Sequence, residues 1–363
     1  MRLNPLELEN QLWGVDKLRN IFTENDDLYL VNTGSKPFDN FESKDKGLIV
    51  FWFAHEGNHS FDLPKMDYVL NIHKLAKDKN IDEKRIVFIN ADLSLEKSYD
   101  IWFDKNKQKY NLTNKINCLG FAWYFLHDKY NIIKKFGVNP FPYQNNKPSK
   151  KFLSLNGLSN DVRRFVIKTL TPYQEEGYLS DLSQGKSLDK LPDTEFSMDS
   201  RSNHQFDFLL TQYHRDSLFS VVCESASAWD NKSWEVDGWD IEDSNQNYIE
   251  GFFTEKITKP LYYGHPFILI GSKNSYKHLK NMGYDVYDDI FDLSFDSLET
   301  WEERTKAVCK QVQELLDRDI TDLQKIFDCG ERIIENQNNF FNNEKFLDNF
   351  IEQIDDIQKK TMG

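Results

Sequence analysis

Apolar and polar positions come in blocks along the first part of the chain. GLIVFWF (47–53) is a nearly continuous apolar run, which predicts a strand covered on both faces. MDYVLNIHKLAKDKN (66–80) spaces its apolar residues as a helix does. RIVFINADL (85–93) predicts a second strand and LEKSYDIWFDKNKQKY (95–110) a helix. INCLGFAWYFLH (116–127) predicts a third strand running into irregular chain. Strands and helices in turn imply parallel pairing through crossovers.

The pattern lapses in VNPFPYQNNKPSKK (138–151), which is rich in Pro, Asn and Lys and reads as a linker. It then resumes. KFLSLNG (151–157) predicts a strand, and DVRRFVIKTL (161–170) a helix capped by Asn160 or Asp161. GYLSDLS (177–183) and LFSVVCES (218–225) predict strands, the second the stronger. Residues 225–251 read as an acidic loop containing Trp229, Trp234 and Trp239, expected either to stack on sugar rings or to fold the loop back onto the body. SYKHLKNMG (275–283) predicts a helix, YDVY (284–287) a strand, and residues 297–317 a long helix. One or two helices follow from 322.

Two α/β halves with helices at the end predict two Rossmann-like domains facing a cleft. Their expected limits are 1–140 and 151–320, with a helical segment at 321–363. Ligands of such sheets sit at the carboxyl ends of the strands, so polar residues there are the ones to weigh.

Composition narrows the classes. Hydrophobic residues make up 39% of the 363 and aromatic residues 14%, enough for real cores. No apolar run approaches the roughly 20 residues of a membrane span. The opening MRLNPLELEN lacks the apolar stretch of a signal peptide. Cys118, Cys223, Cys309 and Cys329 are scattered, which predicts buried thiols and a reducing cytoplasm rather than disulfides or a zinc site. Net charge is −14, unevenly placed. Residues 1–150 hold 22 basic and 20 acidic residues, and 151–363 hold 23 and 39. Within the first part, 65–150 carry 16 basic and 9 acidic residues, a local +7.

The glycine fingerprints of dinucleotide and P-loop sites are absent, as is GxSxG; the His-Glu-x-x-His spacing occurs once, at residues 55–59. Three other places carry candidate chemistry. In FFTEKITKPLYYG (252–264), Thr254-Glu255-Lys256 would open a helix, where free N–H groups and the dipole favour anions. Lysine there adds a full charge for a phosphate, and glutamate an acceptor for sugar hydroxyls. The competing reading is a plain helix cap. In SLNGLSNDVRR (154–164), an Asn156 turn leads to a helix with Arg163 and Arg164, either able to clamp phosphate or simply a basic surface. In VVCESAS (221–227), a buried strand delivers Glu224 to its carboxyl end, as ligand group or turn residue.

The order LSLNGLSNDVRR, FSVVCES, FFTEKITKPLYYG, HPFILIG over roughly residues 150–290 resembles the fucosyltransferase-like glycosyltransferases, including phage-encoded and bacterial relatives. The resemblance implies a GT-B architecture whose second domain binds a nucleotide-sugar; the acidic, helical C-terminus from about 322 either closes over the first domain, as terminal helices do in that architecture, or is a partner-binding tail. It implies Arg163, or else Arg164, and Lys256 on the diphosphate, Glu255 on the sugar, and Glu224 beside the donor, with Asn156 and Thr254 completing the site. Two departures matter: Ser225 stands where the family often has Asn, and 31 residues separate Glu224 from Glu255 where the family has about a dozen. The donor sugar therefore does not carry over.

An inverting transferase needs a base. FWFAHEGNHS (51–60) places Glu56, then His55, with His59, just past the first strand; Asp92 at the end of the second is a further candidate. The competing reading is a polar loop with solvated histidines. No metal or cofactor is expected. The expected partners are a nucleotide-sugar and a hydroxyl acceptor, either a glycan or glycolipid or a hydroxymethylated, or already glycosylated, DNA base of a phage. The local +7 suits the DNA acceptor as a phosphate-contacting face, or is a solvated lysine-rich surface. The alternative class is a non-catalytic two-domain sugar- or nucleotide-binding protein.

Overall fold

The computed structural model describes residues 28–32, 47–53, 68–145, 147–157, 160–181, 184–185, 211–224 and 250–362. The chain divides into two compact units. The first comprises 1–135, 248–252 and 344–363; the second comprises 136–247 and 253–343. The expected third segment, 321–363, is thus shared between them.

The first unit is built on parallel strands β1 (Leu28–Asn32), β2 (Leu48–Phe53), β3 (Ile86–Asn90) and β4 (Asn117–Gly120), paired in that order. Parity along the strands explains the continuous apolar runs. Leu48, Val50, Trp52, Val87, Ile89 and Leu119 face one layer, and Ile49, Phe51, Ile86, Phe88 and Cys118 face the other. Helices α1 (Tyr68–Asp78) and α2 (Leu95–Tyr110) cover the second face through Ile72, Leu75, Tyr99 and Phe103. Helix α3 (Trp123–Phe136) covers the first face with Leu126, joined by Leu347, Phe350 and Ile354 of the last helix. Phe350 stacks on Phe121 at 4.1 Å and stands edge-on to Trp52 at 6.2 Å.

Two expectations change here. Strand β1 is a short edge strand that the pattern did not announce. The run 116–127 is a four-residue strand followed by a helix from Trp123. Helix and strand look alike at this point because Trp123, Phe125 and Leu126 are all buried, which erases the amphipathic signal. Gly120 is required where the two meet: an added Cβ would lie 2.1 Å from the Asp92 carbonyl oxygen.

The second unit has parallel strands β5 (Lys150–Ser154), β6 (Gly177–Leu179), β7 (Ser217–Cys223) and β8 (Phe267–Ile270), in the order β6-β5-β7-β8. The chain leaves β5 toward one edge and β7 toward the other, so a topological switch point lies between them. Helix α4 (Asp161–Leu170) follows β5, and the short α5 (Thr211–Arg215) precedes β7. Helix α6 (Glu255–Tyr263) leads into β8, which is followed by α7 (Ser275–Asn281). Helices α8 (Trp301–Leu316), α9 (Ile320–Ile326) and α10 (Gly330–Asn342) complete the unit, α8 packing on α4 and α10 on α6. Helix α11 (Lys345–Met362) returns to the first unit.

The long helix begins at 301 rather than 297 because Thr300 and Glu303 form a reciprocal capping box. YDVY is not a strand. Asn336 of α10 takes the partner role, accepting from the Asp285 amide at 2.8 Å and donating to its carbonyl at 2.9 Å. Tyr287 has a left-handed φ of 58°. All four cysteines are buried and free, and no helix among the described residues is long and apolar enough to cross a membrane.

Candidate functional site

The switch point of the second sheet gathers most of the singled-out residues. Strand β7 ends at Cys223, and Glu224 follows it, fully buried. Thr254 is the N-cap of α6, with the extended backbone (φ −123°, ψ −173°) that the position demands. Its amide donates to Glu224 Oε1 at 3.0 Å and its hydroxyl to Oε2 at 2.6 Å. The carboxylate thus fixes the start of the helix against the end of the strand. Burial pushes the Glu224 carboxyl up; Lys256 and the two Thr254 bonds pull against that.

Glu255 and Lys256 form the first turn of α6, each with a side chain about one-fifth exposed. Lys256 Nζ donates to Glu255 Oε1 at 2.7 Å and to Thr254 Oγ1 at 3.2 Å. Burial raises the Glu255 carboxyl, but Lys256, through charge and hydrogen bond, and then Lys259 outweigh it and hold the group below its ordinary range. Glu255 is therefore a carboxylate acceptor beside an ammonium group, at a helix N-terminus where the dipole favours negative charge. Gly264 ends this helix at φ 69°, where an added Cβ would collide with Gln337 of α10.

Asn160 caps α4 through the Arg163 amide at 2.8 Å, which settles the choice between Asn160 and Asp161. The two arginines part company. Arg163 is 5% exposed, whereas Arg164 lies at the surface paired with Asp161. Cys223 reports on the convergence: burial pushes its thiol up to about 12, while Arg163 and Lys256 both act on it in the opposite sense. Arg163 and Lys256 are thus both near enough to the end of β7 to act on Cys223, the residue before Glu224.

Asn156 lies on the other side of the switch point. The register Leu153↔Ser220 sets it level with Cys223 as the strands run out. Its amide donates to Ser180 Oγ and its Nδ2 to Ser154 Oγ, both at 3.0 Å. Its Oδ1 is buried without a hydrogen-bond partner among the described residues, an acceptor that a ligand hydroxyl or amine would satisfy. Ser154 and Ser180 are structural members that the sequence did not announce. Serine at a strand end carries no signal distinct from a turn.

The first unit offers a contrasting carboxylate. Asp92, fully buried two residues past β3, accepts from the Ser94 amide at 2.9 Å and the Ser94 hydroxyl at 2.7 Å. Burial lifts it to about 7, against the Ser94 bonds and the Glu250 amide. It closes a turn at the head of α2, where the Glu250 amide also meets Ser94 Oγ at 3.0 Å. Glu56, His55, His59 and the three loop tryptophans lie outside the described residues. Among the described residues no cluster of His, Cys, Asp and Glu has the form of a metal site.

The capped N-terminus of α6 with Lys256, and the buried Asn156 Oδ1 without a partner among the described residues, are groups able to take an anion and a hydrogen-bond donor. Comparison with protein-family models, curated proteins and solved structures finds no match for this chain.

Proposed function

We propose that the chain is a glycosyltransferase, moving a sugar from a nucleotide-sugar to a hydroxyl acceptor, with the donor held at the switch point of the second sheet. The observation that carries this reading is the N-terminus of α6 anchored on the buried Glu224, with Lys256 and an ionised Glu255 in its first turn and Arg163 near enough to the same strand end to act on Cys223. A nucleotide-sugar presents that chemistry in the same order: a diphosphate for the cations and helix N–H groups, and an adjoining sugar for the carboxylate. The return of α11 to the first unit accords with the GT-B layout that the sequence resemblance implies.

In this reading the acceptor oxygen attacks the anomeric carbon, the bond from that carbon to the phosphate oxygen breaks, and the nucleoside diphosphate leaves. Lys256, Arg163 and the amides of α6 stabilise the negative charge that grows on the departing phosphate. Glu255 holds sugar hydroxyls, and Asn156 Oδ1 accepts one further donor hydrogen from the ligand. The acceptor proton goes to a base, for which Glu56 and then His55 remain the assignments. The acceptor is a glycan or glycolipid hydroxyl or a hydroxymethylated DNA base, and the basic stretch 65–150 suits the DNA acceptor.

A second reading, a non-catalytic nucleotide- or sugar-binding protein, draws on the internal pairing of Lys256 with Glu255 and Thr254, which also describes a self-contained cap. A thermal-shift panel of nucleoside diphosphates and their sugars, run on wild type and Lys256→Ala, tests the donor site. A shift of several degrees with one nucleotide, lost in the variant, is expected. Folded protein that responds to none of them sinks both readings, and binding without any transfer to acceptor panels leaves the second.

A further inference from the structure

A cavity of about 300 Å³ opens at the other end of the same sheet. It is walled by His214 and Arg215 just before β7, by Tyr263 at the end of α6 and His265 between α6 and β8, and by Tyr143 and Lys147 from the stretch before β5. Strand β7 has seven residues, so its two ends are roughly 20 Å apart. A molecule in this cavity and a ligand at Glu224 therefore occupy separate places.

His214, Tyr263 and His265 form an aromatic wall. His214 stacks on Tyr263 at 4.4 Å, and His265 stands edge-on to His214 at 5.2 Å. His265 Nε2 lies 2.7 Å from the Ser217 carbonyl, to which only an N–H can donate. Its Nδ1 therefore accepts from the Ser220 hydroxyl, also at 2.7 Å. Burial drives this ring's pKa down to about 4, so it stays neutral at physiological pH. Charge enters at the rim. Arg215, half-buried, and Lys147, exposed, have no hydrogen-bond or ion-pair partner among the described residues. Asp328, also in the lining, brings one opposing charge and disfavours a heavily charged guest.

We propose that this cavity is a second ligand site, for a small anion carrying a planar ring. The ring lies against the His214–Tyr263 wall, and the carboxylate or phosphate meets Arg215, whose planar fork matches either group with two parallel hydrogen bonds, and Lys147. The volume is at the low end of the roughly 300–1,000 Å³ of ligand pockets, so the guest has the size of an aromatic acid or a nucleoside monophosphate rather than a whole nucleotide-sugar. Helix α6 carries Tyr263 at its last turn and Glu255 and Lys256 at its first, so one rigid element serves both places. The proposal does not depend on the donor assignment.

Calorimetric titration with nucleoside monophosphates, phenyl phosphate and benzoate tests it on wild type, Arg215→Ala, Lys147→Ala and Lys256→Ala. Circular dichroism checks that each variant is folded. At least one probe should bind wild type, weaken tenfold or more in Arg215→Ala and less in Lys147→Ala, and keep its affinity in Lys256→Ala. The phosphate and benzoate arms tell which anion is preferred. Absence of binding by every probe at millimolar concentration overturns the proposal. So does a probe whose affinity follows Lys256 and ignores Arg215 and Lys147.

Discussion

Asp92 and Glu224 occupy equivalent places. Each lies just past an inner strand of a parallel sheet, each is fully buried, and each is pushed up by burial. Their surroundings differ. The groups acting most on Asp92 are a serine, backbone amides and another carboxylate, Glu250. Glu224 has Lys256 as its largest opposing influence, with Arg163 close by at Cys223. One strand end therefore carries a carboxyl that titrates near pH 7 and closes a turn, while the other sets a cation beside its acidic anchor. The same backbone geometry gives two electrostatic outcomes, so the strand-end rule locates candidate sites and only the side chains say what they bind.

The largest effect should come from breaking the anchored edge. Glu224→Ala strands the Thr254 amide and hydroxyl, and should cost about 2–3 kcal/mol of stability in urea denaturation together with nucleotide binding. Lys256→Ala should weaken nucleoside diphosphate binding about ten- to a hundredfold, or 1.4–2.8 kcal/mol, while leaving the urea midpoint nearly unchanged. The Asp92 edge should answer to pH instead. Its folded pKa of about 7 lies above the unfolded value of 3.8, so the folded state holds the extra proton between those limits. Its contribution is complete below about pH 4 and falls as pH rises toward 7, by at most about 1.4 kcal/mol per unit. Asp92→Asn should flatten that slope without touching nucleotide affinity. Thr254→Ala should cost about 1 kcal/mol as a lost cap. Arg164→Ala, at the surface, should change stability by less than about 0.5 kcal/mol and leave binding alone; an effect as large as that of Arg163→Ala would erase the distinction drawn between the two arginines.

Much of this contrast was legible in the residues. The apolar runs at β2, β3 and β7 announce buried parallel strands, and the caps Asn160 and Thr254 stand where their residue types predict. What escaped did so for physical reasons. The burial of Trp123, Phe125 and Leu126 hides the helical period of α3. YDVY has the composition of a strand, but the Asn336 side chain satisfies its backbone, a partner 51 residues away that no local pattern foretells. The inward turn of Arg163 and the outward turn of Arg164 differ by one residue of helical phase, about 100°. His265 gave no sign of its place among Ser217, Ser220 and His214, because those residues meet only once β7 and β8 pair.

The account rests most heavily on a diphosphate lying against Lys256. The direct measurement is the calorimetric affinity of a nucleoside diphosphate against its monophosphate, on wild type and on Lys256→Ala. The account predicts that wild type prefers the diphosphate about ten- to a hundredfold and that the variant loses this preference while remaining folded. Equal affinity for the two nucleotides in wild type, or a preference that survives the substitution, would contradict it.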